Sequence, residues 1–502
     1  MYSVRNVEVK KDVKIKFGGK RMKKRTFGLF MAGVMALGLC ACGGNGGDNS
    51  ENVGNSGTSG GGTTTQSVTI EFFGWGDTAE QENYQKLINQ FMAENEDVIV
   101  VYKGETASTY MTTLTNRANN LPDLFYMPDY DFLEWVANGM LLDISSYVEQ
   151  EDLDKLWPEA VDEYYFNMDT MKLGKSDGAG LYGLPKDLGP FTLVYNKTLL
   201  DSQITKLGLN REEIYGMLNP TDPMTWQEFR TLLKTVDPDP NDSLFGVSHY
   251  ELEAAVYSNN ANFFNEDASK ERITDPNFIE AVQFIVDLTT VDHVMPTAAQ
   301  QVSTNGYQRF KGQGCIFSFM GPWDCAEFWK TVTFDYDILP VPYNGENPDA
   351  QSTAWVGSMG YCIPAKLKKN TAKVEAAIRL ANYLCYNEGA QRKFYELGQQ
   401  VPNITSMAND EYLNDTQDLL KDKNPPSRSV WLDTINGTSE TDKIGGKVRA
   451  RYYTYKSDWQ TALTDYFTNV KMWDGNVTAE KACKDFASTF QEYLDEMRAN
   501  LG

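Results

Sequence analysis

The order of secondary structure in the first part of the globular chain restricts the fold most strongly. Residues 68–73 (VTIEFF) predict a strand, residues 80–95 predict a helix with apolar side chains on one face, and residues 98–102 predict a second strand. Because parallel strands need a long crossover connection, usually a helix, this order indicates a parallel pair. We therefore predict an α/β fold.

Local signals place further elements along the chain. Thr225 and Glu228 have the spacing of a capping box, which predicts a helix start at which Trp226 packs inside the protein. Other segments show apolar residues at strand or helix spacing. They predict a strand at 121–127 and helices at 131–138, 371–386 and 479–498.

Length and composition narrow the possible classes of protein. At about 150 residues per domain, a chain of this length has roughly three domains or two large lobes. The 69 acidic residues against 46 basic ones give a net charge of −23, and a surface this acidic repels phosphate backbones, so we expect no nucleic-acid partner. The 27 Tyr and 10 Trp favour a ligand that has both apolar faces and hydroxyls.

The amino terminus has the pattern of an export signal. Basic residues at 23–25 precede an uncharged stretch at 26–41, which is shorter than the roughly 20 residues of a membrane-spanning helix. Its end, Leu39-Cys-Ala-Cys42, is similar to the bacterial lipobox. We expect lipid attachment at Cys42, with a simple secretory signal as the alternative.

The segments on either side of this cysteine have separate roles. Residues 1–41 are predicted to be an amino-terminal extension followed by a lipoprotein signal peptide. We expect translation to start at Met22, since residues 1–21 do not resemble a signal peptide. Residues 42–67 are rich in Gly, Ser, Thr and Asn and predict a flexible tether between the lipid anchor and the folded part.

Metal, catalytic and redox motifs are sparse. The chain has two histidines, His249 and His293, which excludes a His-rich metal centre, and neither histidine lies in a recognisable catalytic motif. The acidic segment at 237–242 lacks the spacing of a calcium-binding loop. We therefore expect no metal and no cofactor.

Five cysteines follow Cys42 in the sequence. Cys315 and Cys325 are ten residues apart and could form a disulfide outside the cytoplasm. Cys362, Cys385 and Cys483 lie in apolar patterns that predict buried thiols. Because five is an odd number, at least one of the five has no intramolecular partner.

Several short motifs occur in order along residues 68–501 and resemble one family. They are Leu-Pro-Asp-Leu-Phe at 121–125, Tyr-Gly-Leu-Pro at 182–185, Val-Tyr-Asn-Lys at 194–197, Thr-Trp-x-Glu-Phe at 225–229 and Phe-Ser-Phe-Met-Gly-Pro-Trp at 317–323. Together they are similar to the carbohydrate-binding lipoproteins of ABC importers, extracellular solute-binding protein family 1. Each motif is weak alone, but their order is specific.

The resemblance implies a fold and a role. The fold is a two-lobed clamshell of the periplasmic-binding-protein type II, in which each lobe is an α/β sandwich with a central mixed sheet and the cleft closes by a hinge motion. The predicted lobes are residues 68–190 with 345–412, and residues 191–344 with 413–502. The role is that of a monomeric receptor, not an enzyme. It binds a sugar on the outer face of the cell membrane and passes it to an ABC permease.

A sugar needs aromatic faces for its C–H patches and carboxylates for its hydroxyls. By resemblance, Trp323 is the main stacking residue, although a core position is the alternative. Asp77, Asp129 and Asp324 follow strand ends, where ligands collect in α/β sheets, but they could instead cap helices. The complete predicted ligand set is Trp323, Asp324, Trp75, Asp77, Asp129, Tyr130, Asp187, Glu105, Trp355 and Arg451.

Two other functions stay open at this point. The acidic surface permits a binding protein for another solute, such as a peptide or a polyamine. A lipid-anchored glycoside hydrolase would need two carboxylates about 5–10 Å apart across a sugar bond, and no such catalytic motif is recognisable.

Overall fold

The computed structural model describes residues 67–240, 243–437, 443–445 and 456–501. The predicted signal peptide, the lipid site at Cys42, the tether up to residue 66 and the predicted ligand residue Arg451 lie outside these residues. The strands are β1 (Val68–Trp75), β2 (Val98–Glu105), β3 (Leu124–Pro128), β4 (Tyr165–Asn167), β5 (Lys172–Leu173), β6 (Gly180–Leu181), β7 (Leu184–Pro185), β8 (Gly189–Pro190), β9 (Thr192–Asn196), β10 (Phe245–Val247), β11 (Cys315–Met320), β12 (Tyr336–Leu339), β13 (Val356–Gly357) and β14 (Met359–Cys362).

The helices alternate with these strands. They are α1 (Thr78–Glu94), α2 (Ala107–Asn116), α3 (Asp129–Ala137), α4 (Gln150–Leu153), α5 (Pro158–Asp162), α6 (Lys197–Leu207), α7 (Arg211–Gly216), α8 (Trp226–Val236), α9 (Leu252–Tyr257), α10 (Pro276–Thr290), α11 (Ala298–Ser303), α12 (Gly306–Lys311), α13 (Cys325–Thr331), α14 (Thr371–Tyr386), α15 (Glu388–Glu396), α16 (Thr405–Met407), α17 (Ser429–Asn436), α18 (Lys456–Asn469) and α19 (Ala479–Leu501). Short 3-10 turns cover Ser145–Tyr147, Pro322–Asp324 and Ala365–Lys369, and a π-helical turn covers Ala408–Tyr412.

The first sheet has five strands in the order β2-β1-β3-β14-β7. Strand β1 is parallel to β2 and β3, whereas β14 is antiparallel to β3 and β7. The predicted strand–helix–strand unit is therefore confirmed, with the crossover supplied by α1. This helix starts at a capping box in which Asp77 and Glu80 bond each other's backbone N–H groups.

The second sheet has four strands in the order β10-β11-β9-β12. Strands β10 and β11 are parallel, and the remaining neighbours are antiparallel. Successive side chains of a strand point to opposite faces, and on β9 both faces are buried. Leu193 and Tyr195 belong to one hydrophobic core, while Val194 belongs to the other.

The chain passes between the two sheets along short segments that pair with each other. It leaves the first sheet after β7, runs through β8 and enters the second sheet at β9; it returns from β12 through β13 to β14. Strands β8 and β13 pair antiparallel, with Pro190 opposite Val356. Gly189 is needed here because a Cβ atom would lie 2.6 Å from the ring of Trp323.

Helices α8, α10 and α19 build the second core. The predicted capping box at Thr225 and Glu228 is confirmed, and Trp226 stacks on Phe284 with ring centroids 4.3 Å apart. The Trp226 indole N–H donates to the carbonyl of Pro342, so this residue packs rather than meets ligand. Within the described residues, no helix has the length and apolar character that crossing a membrane requires.

The cysteines correct one prediction. Cys315, Cys325, Cys362, Cys385 and Cys483 are all free and buried, so Cys315 and Cys325 do not form the disulfide that their spacing allowed. Cys315 is the first residue of β11, and Cys325 comes after the turn that follows the last one. The strand between its two ends is extended over about 16 Å, which separates the two cysteines. A disulfide needs Cα atoms within about 7 Å.

Candidate ligand-binding site

A cavity of about 720 Å³ lies at the ends of the strands of the second sheet. Strand β11 ends at Met320, and the turn after it places Trp323 and Asp324 in the cavity wall. Strand β10 is parallel to β11 and lies next to it. His249 and Glu251 follow β10 in the chain and lie in the same wall of the cavity. The carboxyl ends of adjacent parallel strands are where α/β sheets bind ligands.

Aromatic rings form a corner in this wall. Trp323 and Phe191 are parallel, at 5° and a centroid distance of 6.0 Å. Trp355 lies edge-on to both rings, at 76° to Trp323 and 80° to Phe191. Two apolar planes thus meet at nearly a right angle, an arrangement that suits the C–H faces of a ring-shaped ligand. Tyr130, Tyr307 and Phe319 extend the aromatic lining.

Polar side chains line the rest of the cavity. His249 and Glu251 are bonded to each other through Nε2 and Oε1 at 2.8 Å. Glu253 accepts a hydrogen bond from the Nε2 amide of Gln460. Gln301 and Asn305 also line the cavity. Carboxylates and amides are the groups that bind paired hydroxyls, because each oxygen accepts separately.

Two carboxyl groups near the Trp323 turn have raised pKa values. Burial raises the pKa of Asp324 to about 8, although its Oδ2 accepts a hydrogen bond from the Gly321 N–H at 2.8 Å. Burial likewise raises the pKa of Glu80 to about 7, despite the nearby Lys186 charge and a 2.6 Å bond from Gln399. The negative charge of Glu80 also raises the pKa of Asp324, by less than burial does.

The raised pKa of Asp324 predicts a pH dependence of stability. The pKa of Asp324 is about 8 in the folded protein and about 4 in the unfolded chain, so the folded state holds the proton more tightly. Asp324 therefore favours folding at low pH. Its contribution to the free energy of unfolding is lost as the pH rises from about 4 through 8. We expect Asp324→Asn to shift the urea midpoint upward relative to wild type at pH 8.5 but much less at pH 5. The exposed Asp177→Asn is the control. An equal Asp324→Asn shift at both pH values would contradict this.

Four of the predicted ligand residues line the cavity: Trp323, Asp324, Tyr130 and Trp355. Two predicted aspartates hold the backbone of neighbouring elements. Asp77 caps α1 by accepting from the Glu80 N–H at 2.9 Å. Asp129 accepts from the backbone N–H groups of Tyr130 and Ser358 at 2.8 and 3.3 Å.

Three more predicted residues lie away from the cavity lining. Trp75 packs edge-on against Tyr110 at 5.0 Å. Glu105 accepts from the Thr109 hydroxyl at 2.7 Å at the start of α2. Asp187 is buried and pairs with Lys186. For Trp75, Glu105 and Asp187, as for Asp77 and Asp129, a ligand contact stays a prediction.

Sequence reasoning missed several residues that line the cavity. They are Phe191, His249, Glu251, Glu253, Tyr307, Phe319 and Gln460. Strand β10 has only three residues, so its carboxyl end was not recognised, and with it the segment from His249 to Glu253 was overlooked. The signal that could have found it is the strand propensity of Leu-Phe-Gly-Val at 244–247, shortly before His249, Glu251 and Glu253.

The architecture and the cavity together define a class of protein. Two mixed sheets joined by paired crossing segments, with an aromatic cavity at the strand ends, are the features of a two-domain type II periplasmic binding fold. The sequence match is to the model of the bacterial extracellular solute-binding proteins, over residues 86–421. The chain therefore belongs to this family of binding receptors, which places it outside the cytoplasm.

Solved structures share the fold at low sequence identity. The ABC substrate-binding protein Lmo0181 from Listeria monocytogenes, in complex with cycloalternan, has a TM-score of 0.67 and 20% identity, covering 86% of this chain and 99% of that one. UgpB from Mycobacterium tuberculosis, in complex with glycerophosphocholine, has a TM-score of 0.67 and 16% identity, covering 86% and 100%. Maltose-bound MalE3 from T. maritima has a TM-score of 0.64 and 18% identity, covering 85% and 100%.

Proposed function

We propose that this protein is a receptor that binds an oligosaccharide in the cavity and delivers it to an ABC importer permease. The observation that carries the proposal is the aromatic corner of Trp323, Phe191 and Trp355 with Glu251 and Asp324 beside it. A hexose unit fills about 170 Å³ at the packing density of protein interiors. The cavity of about 720 Å³ therefore has room for a di- to tetrasaccharide.

Neighbouring structures support the sugar class. Cycloalternan and maltose are the ligands of the Listeria monocytogenes and T. maritima proteins. Glycerophosphocholine, the ligand of the Mycobacterium tuberculosis protein, contains a positively charged quaternary ammonium group. The carboxylates in the cavity would also suit a cationic solute, so such a ligand is the alternative within the same fold.

We propose binding without catalysis. Ser248, His249 and Glu251 form a hydrogen-bonded series that resembles a hydrolase triad in composition. Ser248 has no exposed surface, however, so its hydroxyl cannot reach a substrate carbonyl or glycosidic carbon. The series therefore serves to position the Glu251 side chain in the cavity wall.

A ligand panel tests the proposal. Purified protein is mixed with maltose, maltotriose, cycloalternan, D-tagatose, glycerophosphocholine and spermidine, and the unfolding midpoint is recorded. A ligand at 100 times its Kd stabilises the folded state by about 2.7 kcal/mol. We expect a shift with at least one oligosaccharide and no release of reducing ends. A shift with spermidine or glycerophosphocholine alone would overturn the sugar class.

We also propose that the protein is monomeric and is held at the outer face of the membrane by a lipid on Cys42. The lipobox-like Leu39–Cys42 segment supports the anchor. We expect Cys42→Ser to move the protein from the membrane pellet to the soluble fraction after cell lysis. Cys40→Ser is the matched control and should leave it in the pellet. Equal pelleting of the Cys42→Ser variant would contradict the anchor.

A further inference from the structure

We propose that Glu251 is a specificity-determining residue that accepts ligand hydroxyls, and that His249 positions it. This inference rests on the proposed function and deepens it. In this role, Glu251 selects ligands that present hydrogen-bond donors at one defined place in the cavity. The sequence motifs did not point to either residue, whereas the hydrogen bonds, burial and packing around them do.

A continuous series of hydrogen bonds leads from the buried sheet to the cavity. The hydroxyls of Ser318 on β11 and Ser248 after β10 are 2.8 Å apart. The Ser248 hydroxyl is 2.8 Å from His249 Nδ1, and His249 Nε2 is 2.8 Å from Glu251 Oε1. Both serines are buried, whereas the side chains of His249 and Glu251 are 23% and 31% exposed.

The direction of these bonds sets the histidine tautomer. A carboxylate oxygen only accepts, so Nε2 must carry the hydrogen that lies between His249 and Glu251. In the neutral ring Nδ1 then accepts from the Ser248 hydroxyl, and Ser248 accepts from Ser318. Each member of the series is satisfied, so the ring and the carboxylate are held in one orientation.

The space around the ring is also matched to it. A Cβ atom on Gly306 would lie 2.2 Å from His249 Nδ1 and 3.0 Å from the Ser248 hydroxyl oxygen. Neither atom can move away without breaking the series, so only glycine fits at the start of α12. On another side the His249 ring meets Phe319, with centroids 5.7 Å apart.

Glu251 differs from the other two carboxyl groups in the cavity. Asp324 accepts the Gly321 N–H, and burial raises its pKa to about 8, so near neutral pH it is mostly protonated and can donate. Glu253 is nearly buried and accepts from Gln460. In the described part of the chain, Glu251 Oε2 has no hydrogen-bond partner, so it is placed to accept from a ligand in the cavity.

Calorimetric titration tests this role with the panel ligand that shifts wild type most. We expect Glu251→Gln to weaken its affinity about 10- to 100-fold, the range for losing a hydrogen bond to a charged group. His249→Leu should weaken it similarly, whereas His249→Gln, which keeps an N–H donor, should recover part of the loss. Gly306→Ala should weaken it in the same direction. Glu213→Gln and His293→Asn are the controls.

A ligand-free measurement tests the positioning directly. The chain has only two histidines, so the nitrogen NMR spectrum of histidine-labelled protein is simple, and His293→Asn assigns it. At pH 8 we expect His249 to carry its proton on Nε2. Glu251→Gln should change the proton shift of that N–H group, whereas Glu213→Gln should not.

The possible results separate this inference from the proposed function. If no panel ligand shifts the unfolding midpoint of the wild-type protein, the proposed function is overturned, and the ligand role of Glu251 with it. Wild-type binding with unchanged affinity of Glu251→Gln would overturn the inference alone. A proton on Nδ1 in the free protein, or no recovery by His249→Gln relative to His249→Leu, would overturn the positioning role of His249.

Discussion

Trp323→Ala is expected to weaken oligosaccharide binding about 100-fold or more. Trp323 is partly exposed in the cavity, parallel to Phe191 and edge-on to Trp355, so its removal deletes one plane of the aromatic corner. Truncation of a central aromatic residue typically costs 2–4 kcal/mol of binding free energy. Titration calorimetry with the panel ligand that binds wild type measures the loss.

Two further variants make this result interpretable. Trp323→Phe keeps a ring on the corner and should retain more affinity than the alanine variant. Trp473 is also partly exposed and contacts Phe467 in the second core, and it does not line the cavity. Trp473→Ala should therefore leave the affinity unchanged. If Trp323→Ala binds as wild type does, Trp323 is a packing residue and the site lies elsewhere.

The largest expected effect on stability comes from the buried ion pair in the first crossing segment. Lys186 Nζ lies 2.5 Å from Asp187 Oδ2, and the two side chains are 1% and 9% exposed. Burial alone would lower the pKa of Lys186, but Asp187 and neighbouring acidic groups outweigh it and hold the pKa above its ordinary value. Asp187→Asn removes the carboxylate that pairs with this buried ammonium, and we expect a loss of about 3–5 kcal/mol in the free energy of unfolding.

Urea unfolding of a mutant cycle checks this expectation. The double variant Lys186→Met with Asp187→Leu removes both charges and should recover most of the loss, because a buried pair replaced by apolar groups is often neutral. Asp485→Asn breaks the exposed pair with Lys481 and should not move the midpoint measurably. A midpoint for Asp187→Asn equal to that of Asp485→Asn would show that Lys186 is not charged and buried as described.

The elements that were predicted correctly have local signals. Helix α8 carries its capping box and α19 buries Phe486, Phe490 and Leu494 at i+4 spacing, so both are readable from the sequence. The third strand is shorter than predicted and begins at Leu124. Its predicted start included Pro122, which has no N–H to donate to a sheet ladder.

The site was only partly predictable because half of it depends on distant segments. Trp323 could be identified because it ends the Phe-Ser-Phe-Met-Gly-Pro-Trp motif at 317–323, which resembles a motif of the family. Phe191 precedes β9, Tyr307 lies on α12 and Gln460 on α18, and no local pattern relates these positions to one another. Their proximity follows from the order of strands in the second sheet and from packing, which are non-local properties.

The five buried thiols are unreactive while the chain is folded, and this matters for a protein that lies outside the cytoplasm. The thiolate is the reactive form of cysteine, and burial raises the pKa of Cys315 and of Cys483 to about 12, with the pKa values of Cys325, Cys362 and Cys385 raised as well. In an oxidising medium these side chains are thus inert towards alkylating agents and oxidants. They become available when the chain opens, so the rate of labelling reports how often the protein unfolds, without any engineered probe.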